Sequence, residues 1–163
     1  MSDYRNHIGI IGGGIAGLTL GCALLEQGIP AIIFEKMPEE TSHGAAISLS
    51  SNALRLLDRL EIYNDLKNQS FVHSAASIQG PHREISSFQT PEVLTTRRQT
   101  LMSLLYSRYI NLGGEIFHHH DFASFDVAKC EVTFTNENKY TLKHLAACDG
   151  IRSSIRDTFF AAN

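Results

Sequence analysis

The chain has 163 residues, a formal net charge of −3, and 43% hydrophobic against 19% charged residues. That balance describes a folded globular domain and excludes disorder, and the mild acidity leaves no electrostatic footprint for nucleic acid or an anionic membrane. No apolar run approaches the length that spans a bilayer, and a domain of this size buries about 70% of the surface its unfolded chain exposes, so no disulfide or metal staple is needed.

Met1 to His7 is polar and lacks the basic and apolar regions of a secretory signal. Cys22, Cys130 and Cys148 are odd in number, and no two stand at a C-x-x-C or zinc-ligand spacing. Reduced thiols in or near a core, in a reducing cytoplasm, are the expectation. His7 to Ile11 is an apolar run that reads as a buried strand. Gly12 to Gly14 break it, and a helical pattern follows from about Ile15 to Gln27, with Leu18, Cys22 and Leu25 on one stripe. Gly28 stands just past the helix end. Pro30 then opens a second buried strand, Ala31 to Phe34, ending at Glu35. The product is a βαβ unit with a right-handed crossover.

Ser50 or Ser51 is placed to cap a helix carrying Leu54, Leu57 and Leu60, with a further helical turn or two near Tyr63 to Asn68. Phe71 to Ile78 and Arg83 to Phe88 read as short strands around a Gly80-Pro81 turn. Arg98 to Leu112 is helical again, with Leu101, Leu104, Leu105, Tyr109 and Leu112 on its apolar face and Gly113 at its end. Glu115 to His118, Phe122 to Val127, Glu131 to Thr135 and Tyr140 to Cys148 follow as β segments at hairpin spacing. That spacing predicts an antiparallel meander and not another βαβ unit. A last helix is expected from about Ser153.

Gly12-Gly13-Gly14-Ile15-Ala16-Gly17 matches G-x-G-x-x-G with a strand before it and a helix after it. Gly12 permits the tight turn, Gly14 lets backbone amides approach a pyrophosphate at the helix N-terminus, and Gly17 lets helix and strand pack closely. Glu35 closes the second strand about twenty residues beyond Gly14, where a carboxylate accepts from a ribose diol and repels a 2′-phosphate. This unit alone does not separate NAD from FAD.

Three further segments carry a resemblance. They are Gly44-Ala45-Ala46-Ile47-Ser48-Leu49-Ser50-Ser51-Asn52-Ala53, Arg98-Gln99-Thr100-Leu101, and Ala147-Cys148-Asp149-Gly150-Ile151-Arg152-Ser153. With the glycine turn, they resemble the FAD-dependent aromatic hydroxylases, the para-hydroxybenzoate hydroxylase-like flavoprotein monooxygenases. Cys148 stands where that family's D-G motif more often has alanine. The resemblance implies an α/β architecture, a Rossmann-like FAD-binding βαβ fold with an antiparallel β meander. Residues 1–163 would be the N-terminal part of an FAD-binding domain, with 71–95 contributing strands to an incomplete substrate domain. The cofactor-binding set it implies is Gly12, Gly14, Ile15, Ala16, Gly17, Glu35, Lys36, Ala46, Arg98, Asp149 and Gly150. Arg98 would contact the diphosphate, with Arg97 as a rival, and Asp149 would accept from ribityl or ribose hydroxyls. The cofactor would be FAD, reduced by NADH or NADPH, and the substrate a small phenol-like aromatic.

No residue is named as catalytic, because much of such chemistry belongs to the cofactor. His118-His119-His120 reads as a solvated strand end and not as a metal site. Ser48, Ser50 and Ser51 near His43 lack a G-x-S-x-G elbow and read as helix caps. The chain stops at Asn163, soon after the D-G motif, whereas the family continues with a substrate sheet, a second G-D motif and a C-terminal helix. The chain alone is therefore expected to be a poor hydroxylase. Faces of the first two strands left uncovered are expected to drive homo-oligomerisation or pairing with a complementing C-terminal polypeptide. Two other functions stay open: a non-catalytic dinucleotide-binding module, and an NAD-dependent dehydrogenase, which the antiparallel-looking region from Glu115 to Cys148 disfavours.

Overall fold

A computed structural model describes residues 4–38, 44–81 and 84–160. The chain divides into two compact units, residues 1–41 with 105–163, and residues 42–104. Met1 to Asp3, His43, Arg83 and Asn163, which figure in the sequence reading, lie outside the described residues.

The first unit is built on β1 (Ile8–Ile11), α1 (Ile15–Glu26) and β2 (Ala31–Phe34). β1 and β2 pair in parallel, Ile8 opposite Ala31 through Ile11 opposite Phe34. This is the predicted βαβ unit. β6 (Glu115–Phe117) and β10 (His144–Ala147) extend it to a four-stranded sheet of order β10-β1-β2-β6. Both added strands are parallel to their neighbours. The expectation of a wholly antiparallel region after Glu115 is therefore corrected. Only β7 (Phe122–Asp126), β8 (Glu131–Phe134) and β9 (Lys139–Thr141) form the meander. The run Tyr140 to Cys148, read as one strand, splits at Leu142-Lys143 between two sheets. Strand length and hairpin spacing carry no information on which sheet a strand joins, so local pattern could not separate these cases.

Both faces of the parallel sheet are covered within this unit. Every residue of β2 is buried. On one side, a Cβ placed at Gly17 would lie 3.3 Å from Ile10, and one at Gly21 3.3 Å from Ile33, so α1 rides directly on the strands. On the other side, Ile11, Ile32 and Phe34 join Phe122, Val132, Phe134 and Leu142 of the meander region in one core cluster. Phe34 packs its ring 4.6 Å from that of Phe134 and 4.9 Å from that of Tyr140. Each such buried side chain contributes about 1.5–3 kcal/mol. The uncovered faces expected on β1 and β2 are thus absent, and self-association loses that motive.

α4 (Arg98–Asn111) ends at Gly113, as predicted. Its Tyr109 is fully buried, and Cβ atoms at Gly21 and Gly114 would lie 2.6 and 2.3 Å from its ring. Its hydroxyl points at the Ala31 and Glu115 carbonyl oxygens, 3.1 and 3.0 Å away, joining the starts of β2 and β6. Burial pushes the Tyr109 phenol well above its ordinary value.

The second unit contains β3 (Ala46–Leu49), α2 (Ser51–Arg59), α3 (Tyr63–Lys67), β4 (Phe71–Gln79) and β5 (Glu84–Arg97). Its antiparallel sheet has the order β3-β5-β4. β5 runs past the predicted end at Phe88 and straight into α4. Its ladder with β4 steps from Gln89 opposite Ala75 to Val93 opposite His73. Pro91 falls in that bulge, where no ladder N–H is needed, so it interrupts pairing without ending the strand. Ser50 occupies the cap position of α2 but makes no side-chain capping bond, which corrects the capping expectation. A cap is instead made by Ser153 at α5 (Ser154–Phe160), whose Oγ accepts from the Arg156 amide at 2.9 Å.

Candidate dinucleotide site

The site forms where β1, β2 and β10 end together. Gly12 leaves β1 with φ +106°, a conformation that side chains rarely tolerate. A Cβ there would also lie 2.4 Å from the Cys148 carbonyl oxygen. The first glycine of the fingerprint is therefore required by the D-G segment as much as by the turn. Gly17 meets the expectation of close packing, since its Cβ would sit 1.9 Å from the Gly12 carbonyl oxygen. Gly14 differs from both: nothing lies within 4 Å of its Cβ position. It caps α1 without a side-chain bond, and Ile15 and Ala16 form the first turn, with Ala16 exposed. Open space in front of uncapped helix amides is the cradle that a pyrophosphate fills.

Glu35 stands on the β2 side of this turn. Its Oε2 accepts from the Gly13 amide at 2.6 Å, and its Oε1 from the Met37 amide at 2.8 Å. Lys36 beside it is exposed. Asp149 and Gly150 stand on the β10 side, with Gly150 at φ +84°. Asp149 Oδ2 accepts from the Ile155 amide at 3.4 Å, and the Arg156 guanidinium donates to the Ile151 carbonyl at 3.1 Å. An open cleft of about 450 Å³ lies here, lined by residues that include Ala16, Cys148, Asp149, Gly150, Arg156 and Phe160. Burial, and then the Asp149 charge, push the Cys148 thiol above its ordinary value, so it stays a neutral wall of this cleft.

β10 and β2 flank β1, so Glu35 and Asp149 are separated by about two strand spacings, roughly 10 Å. The arrangement offers one carboxylate at each end of a helix N-terminus, a layout that suits an extended dinucleotide and not a mononucleotide phosphate alone.

Of the predicted residues, the fold gathers Gly12, Gly14, Ile15, Ala16, Gly17, Glu35, Lys36, Asp149 and Gly150 in the first unit. Ala46 and Arg98 belong to the second, where they neighbour one another. The Arg98 amide donates to the Ala45 carbonyl at 3.2 Å, and a Cβ at Gly44 would lie 2.9 Å from the Arg98 side chain. Gly44 and Ala45 lead into β3, in which Ala46 pairs with Arg97. Arg97 is exposed and Arg98 half-buried.

Gly13 was missed by sequence reasoning, which treats its position as variable. The run of three glycines was the available signal. The histidine run is also corrected. His120 is buried, its Nδ1 2.7 Å from the His118 carbonyl oxygen and its Nε2 3.2 Å from the Tyr140 hydroxyl. It is a core histidine, reached because the chain turns back after β6.

A parallel sheet, a glycine turn opening onto a helix N-terminus, and flanking carboxylates define a Rossmann-like dinucleotide-binding domain. The FAD binding domain family matches residues 5–161, and the chain belongs to that family. Curated relatives include the FAD-dependent monooxygenase esdpE of Penicillium shearii, 30% identical over 96% of this chain and 35% of its own length. Monooxygenase 1 of Arabidopsis thaliana is 34% identical over 91% of this chain and 39% of its own. Among solved structures, a mutant of 2-methyl-3-hydroxypyridine-5-carboxylic acid oxygenase superposes with TM-score 0.86 at 25% identity, covering 94% of this chain and 42% of that one. The p-nitrophenol 4-monooxygenase PnpA from Pseudomonas putida shares the fold, with TM-score 0.84 at 19% identity over 96% of this chain and 43% of that one. The chain thus spans well under half the length of these relatives. No helix among the described residues is long and apolar enough to cross a membrane.

Proposed function

We propose that this chain is the nucleotide-binding part of a flavoprotein monooxygenase that hydroxylates a small, phenol-like aromatic, with NADH or NADPH as reductant. The observation that carries the reading is the open Cβ position of Gly14 at the uncapped start of α1, set between Glu35 and Asp149. FAD, when bound, supplies the redox and oxygen chemistry. The chain's residues bind and orient it: Gly14 and the amides after it take the pyrophosphate, Glu35 the adenosine ribose, and Asp149 hydroxyls toward the flavin end. Arg98 is proposed as a diphosphate contact and Ala46 as a backbone neighbour of the cofactor. Lys36 completes the adenosine end. The parallel strands β6 and β10 remove one argument against an NAD-dependent dehydrogenase, so the reading rests on the family match and on the site.

The β3-β5-β4 sheet is proposed to contribute to a substrate-binding region. Association with a second copy or a complementing polypeptide is proposed at β10, the end strand of its sheet, beside the exposed Ile151 and Phe160. The test of function is the visible spectrum of the purified protein, followed by NAD(P)H oxidation with candidate phenols. A bound flavin band and phenol-stimulated oxidation support the proposal. A protein that takes up no FAD refutes it. Product measured against NAD(P)H consumed tells whether this chain alone couples the two, and a low ratio is expected. Sedimentation at micromolar concentration tests the association, which a single monomeric species would rule out.

A further inference from the structure

We infer that Gly13 is a specificity-determining residue of the nucleotide site: its amide and its lack of a side chain together hold the Glu35 carboxylate where an adenosine ribose diol meets it. The inference rests on the reading of Glu35 as the ribose acceptor. The Gly13 amide donates to Glu35 Oε2 at 2.6 Å, and the Met37 amide to Oε1 at 2.8 Å. A carboxylate offers about four lone-pair directions. Each oxygen therefore spends one direction on a backbone amide and keeps one for a hydroxyl, a match to two vicinal hydroxyls.

A Cβ at residue 13 would lie 3.2 Å from both Glu35 Cβ and Oε2. That is closer than ordinary contact, so one partner has to move by a few tenths of an ångström. The Glu35 backbone cannot retreat easily. Its amide donates to the Phe117 carbonyl at 2.9 Å, and its carbonyl accepts from the His120 amide at 2.9 Å. The contact with Oε2 therefore displaces the carboxylate, while the contact with Glu35 Cβ, fixed to that backbone, is relieved at residue 13 itself. Gly13 does not belong to the glycines with positive φ, so alanine meets no left-handed backbone there. Gly13→Ala thus perturbs the carboxylate without replacing the positive-φ glycine that makes the turn.

The experiment titrates ADP and 2′-deoxy-ADP against the wild type and Gly13→Ala, with melting temperature as the folding check. The wild type is expected to prefer ADP by about tenfold, the difference made by a hydrogen bond to a charged acceptor. Gly13→Ala should bring the ratio close to one, because ADP then loses both hydroxyl bonds to the displaced carboxylate and 2′-deoxy-ADP only the 3′ one. A variant that keeps the wild-type ratio overturns the role of Gly13 and leaves the Glu35 reading standing. Equal loss of both ligands also overturns it, because that is a structural effect. A wild type that does not discriminate removes Glu35 from the site. If Gly13→Ala does not fold, the Gly13 amide proton in the wild type decides. It should resonate well downfield and move upfield in Glu35→Gln, and an unmoved resonance overturns the inference.

Discussion

The two units present their sheets differently. In the parallel sheet, all four residues of β2 are buried, and helix and meander close both faces. What remains accessible is the edge where the strands end, and there the glycine turn, Glu35 and Asp149 stand. In the antiparallel sheet, β3 alternates: Ala46 and Ser48 are exposed while Leu49 is buried. Ser48 and Thr95 share a hydroxyl hydrogen bond of 2.9 Å on that exposed side, and Leu94 and Thr96 are buried within β5. A parallel sheet covered on both faces offers ligands an end, whereas an antiparallel sheet with one wet face offers a surface. The same contrast divides the fingerprint glycines, since Gly12 and Gly17 close against protein and Gly14 faces open space.

The sharpest test of that division pairs two fingerprint glycines. Gly17→Ala sets a methyl 1.9 Å from the Gly12 carbonyl oxygen. It should cost about 3 kcal/mol and lower the melting temperature by about 10 °C. Gly14→Val, facing open space, should leave melting and circular dichroism nearly unchanged. Its FAD affinity should nonetheless fall about a hundredfold, some 2.7 kcal/mol. Retained FAD binding by a folded Gly14→Val protein would place the phosphate elsewhere. Glu35→Ala should weaken FAD or ADP binding by about 2 kcal/mol, the worth of a hydrogen bond to a charged acceptor. Unchanged affinity in the titration would remove this carboxylate from the site.

Tyr109→Phe probes the covered side of the parallel sheet, where the Ala31 and Glu115 carbonyls lose a shared donor. A loss of about 1–2 kcal/mol is expected in urea unfolding, with ligand affinity unchanged. The smallest effect belongs to the exposed side of the other unit. Glu92 accepts from Tyr63 and, at 2.9 Å, from Lys67. These bonds, Tyr63 first, hold the Glu92 carboxyl below its ordinary value of 4.5. A depressed carboxylate stabilises fully above that ordinary value, and the contribution disappears as pH falls through the lower folded value. Because the Lys67 and Glu92 side chains are 39% and 38% exposed, solvent screening keeps the contribution small. Stabilities of wild type and Glu92→Gln should differ slightly at neutral pH and converge on acidification below 4.5. Curves that stay parallel would show that the ion pair contributes nothing through its charge.

The local grammar of the chain determined residues 8–35 almost completely. Apolar runs, three glycines, a helical stripe and a terminal glutamate specify β1, α1 and β2, because each signal acts over neighbours in sequence. The caps and stops at Gly28 and Gly113 were legible for the same reason. Partner choice over long separations was not. β6 and β10 are three and four residues long, and nothing in Glu115-Ile116-Phe117 or His144-Leu145-Ala146-Ala147 says that one pairs with β2 and the other with β1. That choice is a property of the assembled sheet. The site divides in the same way. Residue types at fixed spacing marked Gly12, Gly14, Gly17 and Glu35, and the family resemblance marked the D-G pair. Only the tertiary structure brought the Cys148 carbonyl against Gly12 and the Gly13 amide onto Glu35, because those contacts are made between strand ends that meet in space and not along the chain.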